Sequence, residues 1–278
     1  MGNPLVCLFL LNSPATPNLG HETTVKECSL VKIGILGVGH IGKTLVRTLS
    51  EAGHDVKVAN SRGPDTIPSE VLASGGRAVD AEEAVKGADA IILSIPLNRI
   101  PGIASLLAMV TEETVVIDTS NYYPMRDEKI VEIEDGKVES VWVSEQLGRP
   151  IVKAWNAIGS DSFARKGKPA GSPGRLAIPV AADRDEDREV GLALVEDSGL
   201  DAVYSGTIAE SWRQQPGAPG YCTDLTREEM PDALAKAEKA RLPKRRDLAV
   251  AVIQERVGDA TTNPDADFGV RLNRAICM

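Results

Sequence analysis

The chain is predicted to fold as an α/β protein around a doubly wound, mostly parallel sheet, with helices appended at its C-terminal end. Three observations predict this. Residues 31–61 read as a complete strand, glycine turn, helix and second strand. Apolar strand-like runs then alternate with helical patterns as far as Tyr204. Beyond Ser211-Trp212-Arg213-Gln214-Gln215-Pro216-Gly217 the alternation stops and charged helical patterns take over.

The first unit carries the clearest chemistry. Val31 to Leu36 is a β-branched and apolar run, followed at once by Gly37-Val38-Gly39-His40-Ile41-Gly42. Ile41, Leu45 and Leu49 then recur on one helical stripe, with Val46 beside them. Gly53 is placed to stop that helix, His54-Asp55 turns the chain, and Val56 to Ala59 reads as the second strand. A G-x-G-x-x-G in this setting is a dinucleotide fingerprint. Gly37 permits the tight turn, Gly39 leaves room for a pyrophosphate, and Gly42 lets the helix pack closely. The helix N-terminus offers free N–H groups and a partial positive charge to the phosphates.

The residues after the second strand select the cofactor. An NAD site places an Asp or Glu there to hold the ribose 2′-hydroxyl. This chain has Asn60-Ser61-Arg62-Gly63 and no acid. Ser61 can donate a hydrogen bond, and Arg62 can fork onto a phosphate and stack on adenine. NADP(H) is therefore the expected cofactor.

The remaining elements follow in order. Pro64 to Ser74 reads as a short helix and Arg77-Ala78-Val79 as the third strand. Asp80 is expected to cap a helix over Ala81–Lys86, with Glu83 completing a capping box. Ala88 to Ile95 is a continuous apolar run, the mark of a strand buried on both faces. It delivers Ser94-Ile95-Pro96 to the carboxyl edge of the sheet, where ligands of such sheets bind. Asn98 to Val110 reads as a helix, and Thr114 to Asp118 as the fifth strand, ending in Thr119-Ser120-Asn121-Tyr122-Tyr123-Pro124. Ser144–Leu147 closes a short helix. Ile151 to Ala154 is a strand with Trp155-Asn156 at its end. Arg175 to Ala181 is another strand, Asp183 caps a helix through Asp197, and Asp201 to Tyr204 is the last strand. About eight strands result. Leu225–Leu242, Lys244–Val257 and Phe268–Ile276 read as helices, too few for an independent core. The expected division is a flexible extension over 1–29, a dinucleotide-binding domain over 30–215 and a helical extension over 216–278.

Composition bounds the partners. Of 278 residues, 42% are hydrophobic and the net charge is −9, so a general nucleic-acid surface is not expected. The basic run from Arg241 to Arg246 reads as a solvated helix face or a junction. The four cysteines, Cys7, Cys28, Cys222 and Cys277, are scattered, as in a reducing compartment. Cys222 alone lies near a candidate site and reads as an ordinary thiol. His21, His40 and His54 form no cluster with metal-ligand spacing, so no metal is expected. Leu5 to Leu11 is apolar but too short for a membrane span and lacks a basic start, so no membrane association and a cytoplasmic location are expected. A homodimer is expected, the C-terminal helices packing on the sheet or across a subunit boundary.

The motifs together resemble a known family, the NADPH:F-420 oxidoreductases, which pass hydride between NADP and a deazaflavin coenzyme. The NADPH domain of the STEAP metalloreductases is similar. The resemblance runs from about Val31 to Gly206. It rests on Ile33 to Gly42, Asn60-Ser61-Arg62, Ser94-Ile95-Pro96, Asp118-Thr119-Ser120-Asn121 and Val152-Lys153-Ala154-Trp155-Asn156. It implies that Gly37 to Ile41 hold the pyrophosphate, Ser61 and Arg62 the 2′-phosphate, and Ser94 to Leu97 the nicotinamide side. It also implies a cofactor-binding role for Asn121, Lys153 and Ala154, and a place for Asn156 beside the nicotinamide, where it is the expected catalytic residue. The region after Arg213 departs from the short archaeal members. The expected acceptor is coenzyme F-420 or a flavin, a cofactor acceptor, with a small-molecule carbonyl or imine as the alternative. A third reading is a non-catalytic NADPH-binding regulator. No histidine is placed as the acid of a carbonyl reductase; Tyr122, Tyr123, Lys153 and Tyr221 could substitute but read as packing or surface residues.

Overall fold

The computed structural model describes residues 30–258 and 262–278. The extension over 1–29, with His21, Cys7 and Cys28, lies outside the described residues. From Val31 to Met278 the chain forms one compact unit.

Eight strands make one sheet in the order β3-β2-β1-β4-β5-β6-β7-β8. β1 (Lys32–Leu36) leads through α1 (His40–Glu51) to β2 (Asp55–Ala59), and α2 (Ser69–Leu72) leads to β3 (Arg77–Ala78). The chain then crosses back through α3 (Ala81–Val85) to β4 (Ala90–Leu93), which pairs with the other edge of β1. That reversal is the switch point at which ligands of doubly wound sheets bind. After α4 (Ala104–Leu107) comes β5 (Val115–Asp118), and α5 (Pro124–Asp127), α6 (Val131–Glu134) and α7 (Glu139–Leu147) precede β6 (Val152–Lys153). α8 (Ser160–Lys166), β7 (Ala177–Ala182), α9 (Asp185–Asp197) and β8 (Asp201–Gly206) complete the sheet. Every pairing is parallel except β6 with β7.

Strand alternation assigns the two faces. Ile33, Ile35, Ala90, Ile92 and Ile117 point to one core, with Leu45, Val46 and Leu49 of α1 and Leu194 and Val195 of α9. Leu36, Ile91, Leu93 and Val116 point to the other, with Val85 of α3 and Val143 and Leu147 of α7. A sheet covered on both faces needs the near-continuous apolar strands seen in the sequence.

Several local expectations are corrected. Asp80 sits at the N-cap of α3 but makes no capping bond, and the Glu83 carboxylate accepts from Lys57 Nζ at 2.6 Å instead of closing a capping box. The helix expected over Asn98–Val110 is a 3-10 segment, Leu97–Ile103, followed by the one-turn α4. Pro101 lacks the N–H an α-helix interior needs. Asp183 does not cap α9; its carboxylate accepts the Ile208 amide at 2.9 Å, while Arg184 occupies the N-cap. The helix expected over Leu225–Leu242 shrinks to α10 (Met230–Ala235) and a 3-10 turn at Lys239–Arg241. α11 (Leu242–Val257) and α12 (Ala266–Cys277) follow. Arg245 and Arg246, read as solvated, are buried on α11.

Candidate functional site

The turn after β1 is shaped by close approach. Gly37 has φ +112°, and a Cβ there would lie 2.1 Å from the Ser94 carbonyl oxygen. A Cβ on Gly42 would lie 2.1 Å from the Gly37 carbonyl oxygen, so the first turn of α1 rests directly on the loop. Gly39 is different: nothing lies within 4 Å of a Cβ built on it. It is the N-cap of α1, and no side chain caps that terminus. The first amides of α1 therefore face open space with the positive end of the helix dipole behind them. Val38 packs against the core, so its contribution to a ligand is backbone alone.

At the end of the neighbouring β2, Asn60 folds its own loop. Its Oδ1 accepts the Arg62 amide at 2.8 Å, and its Nδ2 donates to Thr66 Oγ1 at 2.9 Å. Ser61 and Arg62 are exposed. The Arg62 guanidinium has no hydrogen-bond or ion-pair partner among the described residues, so its fork is free for a phosphate.

A cleft of about 390 Å³ opens at the carboxyl edge of the sheet. Gly39, His40 and Ile41 line one end, Ser94, Ile95 and Pro96 come from beyond β4, Thr119 to Asn121 from beyond β5, and Asn156 from beyond β6. Ala249, Val250 and Ile253 of α11 and Gly269, Val270 and Asn273 of α12 also line it. The C-terminal helices thus form a wall of the site. Among the expected cofactor residues, Gly37, Val38, Gly42, Asn60, Ser61, Arg62, Lys153 and Ala154 do not line this cleft.

Lys153 and Ala154 are corrected from wall to support. Both are fully buried. Lys153 Nζ donates to Asp118 Oδ2 at 2.6 Å and to the Ser120 carbonyl. Asp118 Oδ1 in turn accepts the Ser120 amide at 3.0 Å. The pair ties the ends of β5 and β6 together below the cleft floor and holds Ser120 in place. Ser120 is among the cleft residues, and its hydroxyl is buried without a hydrogen-bond partner. A buried hydroxyl without a partner is costly unless a ligand or water satisfies it.

Asn156 is fixed from three sides. Its Nδ2 donates to Asn121 Oδ1 at 3.1 Å and to the Gln214 carbonyl at 2.9 Å. Its Oδ1 accepts Gln214 Nε2 at 2.9 Å, and its carbonyl accepts Asn121 Nδ2 at 2.9 Å. The amide therefore holds one orientation in the cleft wall. Trp155 before it has φ +55° and donates its indole N–H to Ser198 Oγ at 3.0 Å, an anchor for a strained backbone.

Tyr123 and Tyr221, which read as packing or surface residues in the sequence, form a second polar set. Tyr123 and Tyr221 both line the cleft, and their hydroxyls lie 2.6 Å apart. Asn121 Nδ2 donates to Tyr221 Oη at 3.4 Å. Burial pushes both phenols above their ordinary pKa of 10, so both stay protonated at neutral pH. Burial likewise pushes the Cys222 thiol up to about 12, which makes it a neutral thiol rather than a nucleophile. Gln214 is the residue the sequence did not single out: it lies in the stretch Ser211–Gly217, which reads there only as a boundary.

Residues 32–122 match the family NADP oxidoreductase, coenzyme F420-dependent. This is the family the motifs resembled, and the match takes in β1 to β5 with the glycine turn, Arg62 and Ser94. It ends before the Lys153–Asn156 element. The Escherichia coli (strain K12) protein YjhV is 51% identical over 79 residues, which is 27% of this chain and 58% of that one. The chain thus spans little more than half the length of this curated relative. Among solved structures, the hypothetical protein SMa0349 from Sinorhizobium meliloti aligns with a TM-score of 0.60 and 26% identity, over 71% of this chain and 96% of that one. A protein from Arthrobacter sp. FB24, described as an F420-dependent NADP-reductase, aligns with a TM-score of 0.52 and 18% identity, over 84% of this chain and 98% of that one. The latter likeness is one of fold: a doubly wound sheet with a helical C-terminal region. No helix among the described residues is long and apolar enough to cross a membrane.

Proposed function

We propose that the chain is an NADP(H)-dependent oxidoreductase that passes hydride between NADP(H) and a deazaflavin or flavin-like acceptor in the cleft beside Asn156. One observation carries the reading. The open backbone at Gly39, under the amides of α1, leads into a cleft whose wall holds the Asn156 carboxamide in one orientation. The residues fit a dinucleotide: a Cβ at Gly39 would fill the cradle, and the Ser120 hydroxyl waits for a partner.

Each group has a task. The α1 amides hold the pyrophosphate, and Ser61 and Arg62 hold the 2′-phosphate. Asn156, with Asn121 and Gln214, orients the reacting face, where position more than acid chemistry sets the rate. The bound nicotinamide supplies or accepts the hydride. α11 and α12 exclude water from the reacting pair.

A second reading, reduction of a small carbonyl or imine, is favoured by the Tyr123–Tyr221 pair. Two protonated phenols 2.6 Å apart can deliver a proton to a developing alkoxide or amine. Because both phenols stay protonated at neutral pH, a rate profile between pH 6 and 8 does not report on them. Substitution does.

The test is NADPH oxidation followed with deazaflavin, flavin, ferric chelates and carbonyl or imine compounds, by wild type and Tyr221→Phe. The proposal expects turnover with deazaflavin or flavin that Tyr221→Phe leaves nearly unchanged. Turnover confined to carbonyls or imines, falling about 100-fold or more in Tyr221→Phe, would establish the second reading. Tight NADPH binding without turnover on any acceptor would make the chain a regulator.

A further inference from the structure

Two guanidiniums flank the aromatic pair beyond β5. Arg126 lies over the Tyr123 ring at 5.2 Å and Arg246 over the Tyr122 ring at 5.2 Å. Both residues line the cleft. Their electrostatic situations differ. Arg126 is neutralised: its Nε and Nη2 fork onto the fully buried Asp127 carboxylate at 3.0 and 2.7 Å, and Nη2 also donates to the Asn121 carbonyl. Arg246 is not. Only its Nε is engaged, by Asp247 at 2.8 Å, and that carboxylate is 62% exposed to water. Neither Nη of Arg246 has a hydrogen-bond partner among the described residues.

Arg246 is nevertheless 7% exposed. Its Nη atoms are not among the fully buried unpartnered atoms, so they keep access where Arg246 lines the cleft, and a guanidinium with an unoccupied fork there attracts an oxyanion. The buried Glu139 carboxylate feels the Arg246 charge but is committed to the Tyr122 amide at 3.0 Å and makes no ion pair with Arg246. It is also a weak counter-charge, since burial pushes its pKa up to about 7. The dinucleotide's own phosphates belong elsewhere, at Gly39 and Arg62. We propose that Arg246 holds an anionic group of the acceptor, a carboxylate or a phosphate, and so sets the acceptor's class and orientation in the cleft. This rests on the reading of the cleft as an acceptor site. The guanidinium fork matches either oxyanion, and stacking on Tyr122 fixes its plane.

The test is titration calorimetry of the NADP-loaded protein with three probes: oxalate, inorganic phosphate and the neutral isostere oxamide. At least one of the two anions should bind, and oxamide should not; which anion binds more tightly identifies the group. Arg246→Met should weaken the anion by about 10–100-fold, Arg246→Lys should recover part of the loss, and NADPH affinity should stay within about twofold. Arg246→Gln gives the same comparison should Arg246→Met fail to fold. Absence of binding by either anion, equal binding of oxamide, or an anion affinity indifferent to Arg246→Met and Arg246→Gln would each overturn the proposal. The titrations are repeated without dinucleotide. A wild type that fails to bind NADPH, yet binds an anion that Arg246→Met does not, would sink the oxidoreductase reading and keep only the anion site at Arg246.

Discussion

Two regions at the carboxyl edge of the sheet are built by different means. The one proposed for the dinucleotide is largely backbone: the Gly37–Gly42 turn, the amides of α1 and the loop folded by Asn60. The one proposed for the acceptor is made of side chains from distant segments. Asn121 meets Asn156 across 35 residues, Asn156 meets the Gln214 carbonyl across 58, and Tyr123 meets Tyr221 across 98. Arg246 arrives on a helix beyond the sheet. A backbone site is encoded by what glycine permits at fixed spacing. A side-chain site is encoded only by the fold that brings its members together.

The largest expected effect separates space from strain at the backbone end. Gly39→Val should abolish NADPH binding in fluorescence titration while leaving the unfolding free energy within about 0.5 kcal/mol, because its side chain enters open space. Gly37→Ala should do the reverse of the second part. Its Cβ meets the Ser94 carbonyl at positive φ, so denaturation should show a loss of about 1–3 kcal/mol. Equal stability losses in the two variants would erase the distinction.

At the side-chain end, stability should depend on buried charge. Lys153→Met leaves Asp118 buried without its partner and should cost about 3–5 kcal/mol in urea denaturation. A cost near zero would show that the pair does not support the floor.

Glu139 offers a pH test of the same region. Burial raises its pKa from 4.5 to about 7. The folded state then binds its proton more tightly than the unfolded state. Its contribution is full below about pH 4.5 and is lost as the pH rises through about 7. Relative to Glu139→Gln, the wild type should lose stability on the order of 3 kcal/mol across that window. Parallel stability curves for the two proteins would contradict this.

The smallest expected effect lies at the carboxamide. Asn156→Ala should slow turnover about tenfold with NADPH affinity kept within about twofold, because it removes orientation and not the dinucleotide's anchors. A matching loss of NADPH affinity would move Asn156 from the acceptor end to the cofactor end.

This contrast explains what could be read before folding. The strand–turn–helix–strand unit was legible because all of its evidence lies within residues 31–61, and the apolar run at β4 declared its double burial. Ser94, Ile95, Pro96 and Asn121 could be placed because strand ends in such sheets share one edge. Lys153 was visible as part of a motif, yet its burial depended on Asp118 in another strand. Arg246 looked like one cation in a basic run, since a sequence cannot show that Tyr122 covers it. Asp80 and Asp183 had the chemistry of caps, but Lys57 and Ile208 claimed the partners. Pro101 was visible near the start of the expected helix, where proline is tolerated, but it falls inside the 3-10 segment Leu97–Ile103.

The central claim is that this fold holds NADP(H) by its 2′-phosphate, and paired titrations of NADPH and NADH test it most directly. The account predicts that wild type binds NADPH at least about tenfold more tightly than NADH, and that Arg62→Asp removes the preference by weakening NADPH about 10–100-fold. Equal affinity for the two dinucleotides in the wild type, or an NADPH affinity untouched by Arg62→Asp, would contradict it.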